Sequence, residues 1–275
     1  MNDDEVFDLE LRLFLEGLSE RYGADFRGYV MSSMRRRVKK ALVRFGCDSI
    51  STLQHRVLRD RELFTRLLGL ITIHVSDVFR DPGYYAALRE HVIPHLRTYP
   101  VLKVWIAGCS TGEELYSMAI LLREEGLLDR TIIYATDVDP QALESAKRGV
   151  YALERVSAFT RNYQRAGGLG SLADHYTVGY DAMVFDRTLR QQVVFSDHSL
   201  ATDSVFAEVQ LVSCRNVLIY FERDLQDRAF ELFGQSLVRK GFLGLGAHES
   251  IRFSKHAGKF SETVAEHRIY RREDA

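Results

Sequence analysis

The chain has 275 residues, 46% apolar and 27% charged. This balance fits one or two globular domains and excludes a disordered or collagen-like chain. No apolar run approaches the roughly eighteen residues of a membrane-spanning helix, and the acidic residues 1–5 do not read as a signal peptide. A net charge of −1 argues against a nucleic-acid-binding chain, and three scattered cysteines, Cys47, Cys109 and Cys214, argue against a disulfide framework. The nine histidines show no metal-ligand spacing, so the expectation is a reduced, cytoplasmic protein without a metal.

The first ninety residues read as helical. Phe7, Leu11, Phe14 and Leu15 recur at helical spacing, as do Val38, Leu42 and Phe45, with Gly46 as a candidate C-cap. Phe64, Leu67, Leu68 and Ile71 mark another helix, and Asp81-Pro82 opens a further one. An N-terminal helical domain is expected over residues 1–90, with a linker to about 100. Its charge is segregated: residues 1–20 carry seven acids and one base, residues 35–66 ten bases and three acids. Arg35, Arg36, Arg37, Lys39, Lys40 and Arg44 form the centre of the basic stretch. It reads either as a solvated helix face or as a docking surface for an acidic partner.

From residue 101 short apolar runs alternate with helical segments. Strands are expected at 101–107, 131–136, 192–196, 209–214 and 241–246, and helices at 113–125, 140–148 and 223–238. Ile269 and Tyr270 suit a last antiparallel strand. This alternation predicts an α/β domain over 101–275 with a parallel sheet covered on both faces. The pattern breaks after Gly167, Gly168 and Gly170. There, segments 176–178, 183–185 and 192–195 are expected to pair as a small antiparallel β-subdomain at about 170–195.

In an open α/β sheet a ligand sits beyond the carboxyl ends of the strands. The turn Gly108-Cys109-Ser110-Thr111-Gly112 lies there, and Asp137 ends the next strand twenty-five residues after Gly112. Glycines admit a ligand to the backbone, and an acid at that strand end can accept both hydroxyls of a ribose. Glu113 and Glu114 open the following helix, where they would repel a pyrophosphate and suit a cationic ligand such as S-adenosylmethionine. The competing reading is an ordinary βα turn with acids favoured by the helix dipole.

These residues resemble a known family. Residues 109–114, Cys-Ser-Thr-Gly-Glu-Glu, are similar to the CSTGEE motif of the chemotaxis receptor methyltransferases (the CheR family), and residues 214–221, Cys-Arg-Asn-Val-Leu-Ile-Tyr-Phe, to its CRNVLIYF motif. Residues 75–81 and 135–139 resemble two further segments, in family order. The resemblance implies an all-α N-terminal domain before a Rossmann-like methyltransferase domain with a small inserted antiparallel β-subdomain. The implied activity is protein-glutamate O-methylation of chemoreceptors, with S-adenosylmethionine as cofactor and S-adenosylhomocysteine as product. By residue, it implies that His74, Ser76 and Arg80 reach the cofactor from the linker, with Gly108, Glu113 or Glu114 on its methionine part and Asp137 on the ribose. Ser199 and Leu200, with Cys214, Arg215 and Asn216, would lie against its adenine and sulfonium ends. Tyr220 matches a tyrosine near the transferred methyl group, and Arg97 an arginine that orients the substrate carboxylate.

The chain departs from the family pattern at His74, where asparagine is usual, and at Ser76, Val78, Leu115, Ser199 and Gln210. A degenerate binding module, or a methyltransferase for another acceptor, are the readings those departures leave open. The basic stretch would dock on the glutamate-rich helical bundle of a chemoreceptor. The short subdomain suggests that a receptor tether peptide is not needed, and the enzyme is expected to act as a monomer.

Overall fold

The computed structural model describes residues 2–273. Four helices open the chain: α1 (Asp3–Tyr22), α2 (Met31–Phe45), α3 (Ile50–Val57) and α4 (Arg61–Ile71). Each boundary has a local cause. Asn2 and Glu5 form a capping box on α1, Ser49 and Asp60 cap α3 and α4, and Gly23 and Gly46 end α1 and α2 in left-handed conformation. Leu11, Phe14, Leu18, Met34, Val38, Leu67 and Ile71 share one buried core between them, as the helical spacing predicts.

That helical domain ends earlier than residue 90. α5 (Pro82–Ala87), a π-helical turn over Leu88–Val92 and α6 (Ile93–Leu96) follow. Val78, Phe79, Tyr84, Leu88, Val92 and Leu96 are buried in one core with Leu102, Val104 and Ile106 of the α/β domain. Helical periodicity reveals an apolar face but not the neighbour it packs against, so the expected 1–90 boundary moves back to the 73–77 segment.

The α/β domain continues with β1 (Leu102–Ala107), α7 (Glu113–Glu124), β2 (Thr131–Asp137), α8 (Pro140–Arg148), β3 (Val150–Ala152) and α9 (Val156–Arg165). Then come β4 (Tyr176–Gly179), β5 (Ala182–Phe185), β6 (Val193–Asp197), β7 (Val209–Cys214), α10 (Arg223–Ser236), β8 (Leu237–Leu245), β9 (Phe260–Val264) and β10 (Ile269–Arg272). The large sheet has the order β6-β2-β1-β7-β8-β10-β9. β6, β2, β1, β7 and β8 run parallel, while β10 is antiparallel to β8 and β9. The chain leaves β1 toward β2 on one side and returns through β7 on the other, so a crevice opens beyond the carboxyl ends of these strands.

The small sheet has the order β3-β5-β4. The 192–195 segment is not its third strand: β6 pairs in parallel with β2, Val193 against Ile133 and Asp197 against Asp137. Val150–Ala152 takes that place beside β5, a strand too short to show a period. The β4–β5 hairpin turns on Tyr180 and Asp181, both with positive φ, as a two-residue turn of the primed kind requires.

Candidate active site

The crevice at the switch point is a cleft open on one side, about 880 Å³ with the solvent at its mouth included. Its floor is the turn after β1. Gly108 has φ +75°, and a Cβ on it would lie 2.5 Å from Val217 Cγ2, so only glycine fits there. The N–H of Ser110 donates to Asp137 Oδ2 at 2.8 Å and that of Asp139 to Oδ1 at 3.0 Å. Asp137 is thus held from both sides, with one lone pair left on each oxygen. Burial pushes its pKa up, against the pull of those two hydrogen bonds.

Adjacent side chains on a helix point about 100° apart, and the two acids that open α7 diverge accordingly. Glu114 lines the cleft. It accepts from Ser213 Oγ at 2.6 Å and faces Arg215 at 3.9 Å, and burial raises its pKa. Glu113 is buried and turns away to pair with the half-buried Arg155 at 2.8 Å and to accept from Thr111 Oγ1, so it does not line the cleft.

The linker residues His74, Ser76 and Arg80 line the cleft, with Ile73 and Val75 beside them. His74 joins the two domains. Its Nε2 lies 2.9 Å from Asp139 Oδ2, and its Nδ1 lies 3.1 Å from Ser110 Oγ in the glycine turn. Arg80 donates to the Val75 carbonyl at 3.0 Å. Ser76 presents its carbonyl to Arg155.

The wall opposite comes from the ends of β6 and β7. Leu200, Arg215 and Asn216 line it; Ser199 and Cys214 do not. Ser199 instead shapes a turn, its N–H donating to Asp203 Oδ2 and its Oγ accepting from Ala201 N–H. Cys214 is buried in the apolar core beneath. Cys109 and Cys214 are both fully desolvated, which pushes their thiols well up and leaves no thiolate for nucleophilic chemistry. Arg215 is buried, lies 4.2 Å from the centre of the Tyr84 ring, and donates to Asp81 Oδ2 at 2.8 Å and to the Arg80 carbonyl.

The sequence reading missed Tyr29, Thr72, His198 and Val217, all of which line the cleft. His198 directly follows the β6 strand end, a position that could have flagged it. The basic stretch predicts Arg37 on the outer docking face; it is buried instead and lines the cleft. Its guanidinium donates to the Ile71 carbonyl and leaves Nε and one terminal nitrogen without a partner. Tyr220 lines the cleft as expected. The rest of the basic stretch divides: Arg35 pairs with Asp4 and Asp8, while Arg36, Lys39, Lys40 and Arg44 are exposed. Arg97 is a clear correction. It stands half-exposed outside the cleft, paired with Glu125 at 2.7 Å.

The helical domain closes over this cleft through backbone contacts. The Val30 N–H donates to the Tyr220 carbonyl at 2.9 Å, and that of Glu222 to the Gly28 carbonyl at 2.8 Å. Tyr29 meets Phe221 edge to face at 4.8 Å.

Comparison with known proteins gives this geometry a family. Residues 74–269 match the family model described as "CheR methyltransferase, SAM binding domain", and residues 9–72 that described as "CheR methyltransferase, all-alpha domain". The break between the two matches falls at residue 73, where the cores divide. A Pseudomonas putida protein provisionally named methyltransferase Cher3 is 53% identical over 272 residues, 99% of this chain and 100% of its own. A Listeria innocua chemotaxis protein methyltransferase is 31% identical over 231 residues, 83% of this chain and 85% of its own. Chemotaxis protein methyltransferase 2 of Pseudomonas aeruginosa is 31% identical over 201 residues, 72% and 69% of the two chains.

Proposed function

This chain belongs to the CheR family of methyltransferases, whose cofactor is S-adenosylmethionine, and from that membership we propose that it methylates glutamate side chains in the helical cytoplasmic region of chemoreceptors. The observation that carries the proposal is the pairing of charges in one cleft. Asp137 and Glu114 lie on its floor, and the buried Arg37 at its lip has two guanidinium nitrogens without acceptors.

The lining suits the cofactor. Asp137 has acceptor capacity left for a ribose diol, Glu114 is a partly buried carboxylate for the ammonium group, and Leu200 and Val138 offer apolar surface to a purine. When bound, the cofactor supplies an electrophilic methyl group on a sulfonium. A glutamate carboxylate, with an ordinary pKa of about 4.3, is already ionised at neutral pH. The chain therefore has no proton to move, and its task is orientation, which can supply effective molarities on the order of 10⁵ M or more. Arg37 would hold the acceptor carboxylate by a charge-assisted hydrogen bond, and Tyr220 would position it beside the methyl group. Arg36, Lys40 and Arg44 recur at every fourth residue of α2 and form an exposed cationic stripe, complementary to an acidic helix.

The test is incubation with methyl-labelled S-adenosylmethionine and chemoreceptor-containing membranes. Alkali-labile label in the receptor band supports the reading. Tight S-adenosylhomocysteine binding without label in any receptor would overturn the acceptor and leave a methyltransferase for another substrate.

A further inference from the structure

The carboxylate of Glu249, in the turn after β8, is 4% exposed and does not line the cleft. Five backbone N–H groups converge on it. Oε2 accepts from Gly246 at 2.6 Å and Asn216 at 2.9 Å. Oε1 accepts from Val217 at 2.8 Å, Leu218 at 2.7 Å and Ile219 at 3.3 Å. Four of these donors are consecutive residues of the single turn that follows β7, so one buried side chain satisfies the amides this turn presents inward. Asn216 adopts a left-handed backbone, φ +61°, a conformation asparagine takes more readily than other non-glycine residues. Burial pushes the Glu249 carboxyl up in pKa. The backbone hydrogen bonds pull it back down, and only the ionised carboxyl is an acceptor at both oxygens.

The turn held in this way carries Asn216, Val217 and Tyr220 into the cleft. On the other side, Gly246 lets the two turns meet: a Cβ there would lie 2.7 Å from Glu249 Oε2 and 2.8 Å from the Asn216 nitrogen. We propose that Glu249 is a positioning residue for the cofactor cleft, its carboxylate setting the shape of the 216–219 turn and so the placement of Asn216 and Tyr220. The proposal rests on cofactor binding by this family and is independent of which acceptor is methylated.

The experiment is calorimetric titration of the full chain with S-adenosylhomocysteine, in the wild type and in Glu249→Gln, with a thermal melt of each. Glutamine keeps the shape but replaces one acceptor oxygen with a donor. The dissociation constant should rise about tenfold or more, the scale set by leaving a buried donor unpaired, while the stoichiometry stays the same. Glu249→Asp keeps the charge one methylene short and should recover part of the loss. A purely structural role would lower the melting temperature and the binding stoichiometry and leave the dissociation constant of the folded fraction unchanged, which would overturn the proposal. Should Glu249→Gln fail to fold, Gly246→Ala displaces the carboxylate with its charge intact. It should weaken binding likewise, and unchanged affinity there overturns the proposal too. A wild type that binds no S-adenosylhomocysteine would instead defeat the cofactor reading, and this inference with it.

Discussion

The guanidinium of Arg37 lies 4.7 Å from the centre of the Tyr220 ring. One residue belongs to the N-terminal helical domain and the other to the turn after β7, so each domain supplies half of the cleft's lip. A cation over an aromatic face is attractive, more so when shielded from water. The backbone pairing of Gly28 and Val30 with Glu222 and Tyr220 fixes the two halves beside each other. The N-terminal domain therefore supplies part of the cleft lining.

Arg37→Ala should lower methyl transfer by on the order of ten- to a hundredfold, the range of a lost hydrogen bond to a charged group. Arg37→Lys should rescue little, because a lysine lacks the planar fork that donates to Ile71 and stacks on Tyr220. Arg97→Ala should leave transfer unchanged, since Arg97 is solvated and pairs only with Glu125. Initial rates of label incorporation for the three variants check the contrast; loss of activity in Arg97→Ala with Arg37→Ala active would reverse the assignment.

Asp137→Ala removes the acceptor for the Ser110 and Asp139 amides as well as the proposed ribose partner. S-adenosylhomocysteine affinity should fall by on the order of a hundredfold, about 3 kcal/mol. Calorimetry reads this directly, and unchanged affinity would remove Asp137 from the ribose site.

Tyr220→Phe keeps the ring that Arg37 covers and deletes only the hydroxyl. Turnover should fall about tenfold while S-adenosylhomocysteine affinity stays near the wild-type value, the pattern of a group that acts in the transition state more than in the ground state. Equal losses in both would mean that the hydroxyl binds the cofactor.

His74 should make the domain junction pH-dependent. Burial alone would lower its pKa, but the Asp139 hydrogen bond and the charges of Asp137, Asp139 and Glu113 outweigh burial and raise it. The stabilisation is then complete below the unfolded value of about 6.5 and is lost as pH rises through the higher folded value. The melting temperature of the wild type should exceed that of His74→Asn most at about pH 6, with the gap closing toward pH 9. A gap that is constant across this range would show that His74 does not carry the effect.

Much of the architecture was legible because it follows from local chemistry. Helical spacing marks α1, α2 and α4, alternating segments mark the parallel sheet, and Gly108, Glu114 and Asp137 sit where strand ends place ligand-binding residues. Tyr220 and Asn216 were likewise legible as residues of the cleft through the motif at 214–221, and Leu200 through the family resemblance. Trp105 of β1 is wholly buried in the core, its indole N–H donating to Thr136 Oγ1.

The misassigned residues share a cause. Arg36 and Arg37, and Glu113 and Glu114, are neighbours of the same charge whose fates diverge because a helix turns about 100° per residue. Which of each pair is buried depends on the rotation of the whole helix against its neighbours. Strand β6 has the composition of a hairpin partner or of a sheet strand, and only its long-range pairing with β2 decides between them. The placement of Arg97, the second role of Arg37 and the clasp of Glu249 on a turn thirty residues away are equally non-local. The amino-acid sequence alone determined the elements, the family and the acid-lined turn, because spacing and side-chain type act over a few residues. The tertiary structure decided which cations enter the cleft, because that choice belongs to helix orientation and inter-domain packing, which couple residues far apart in the chain.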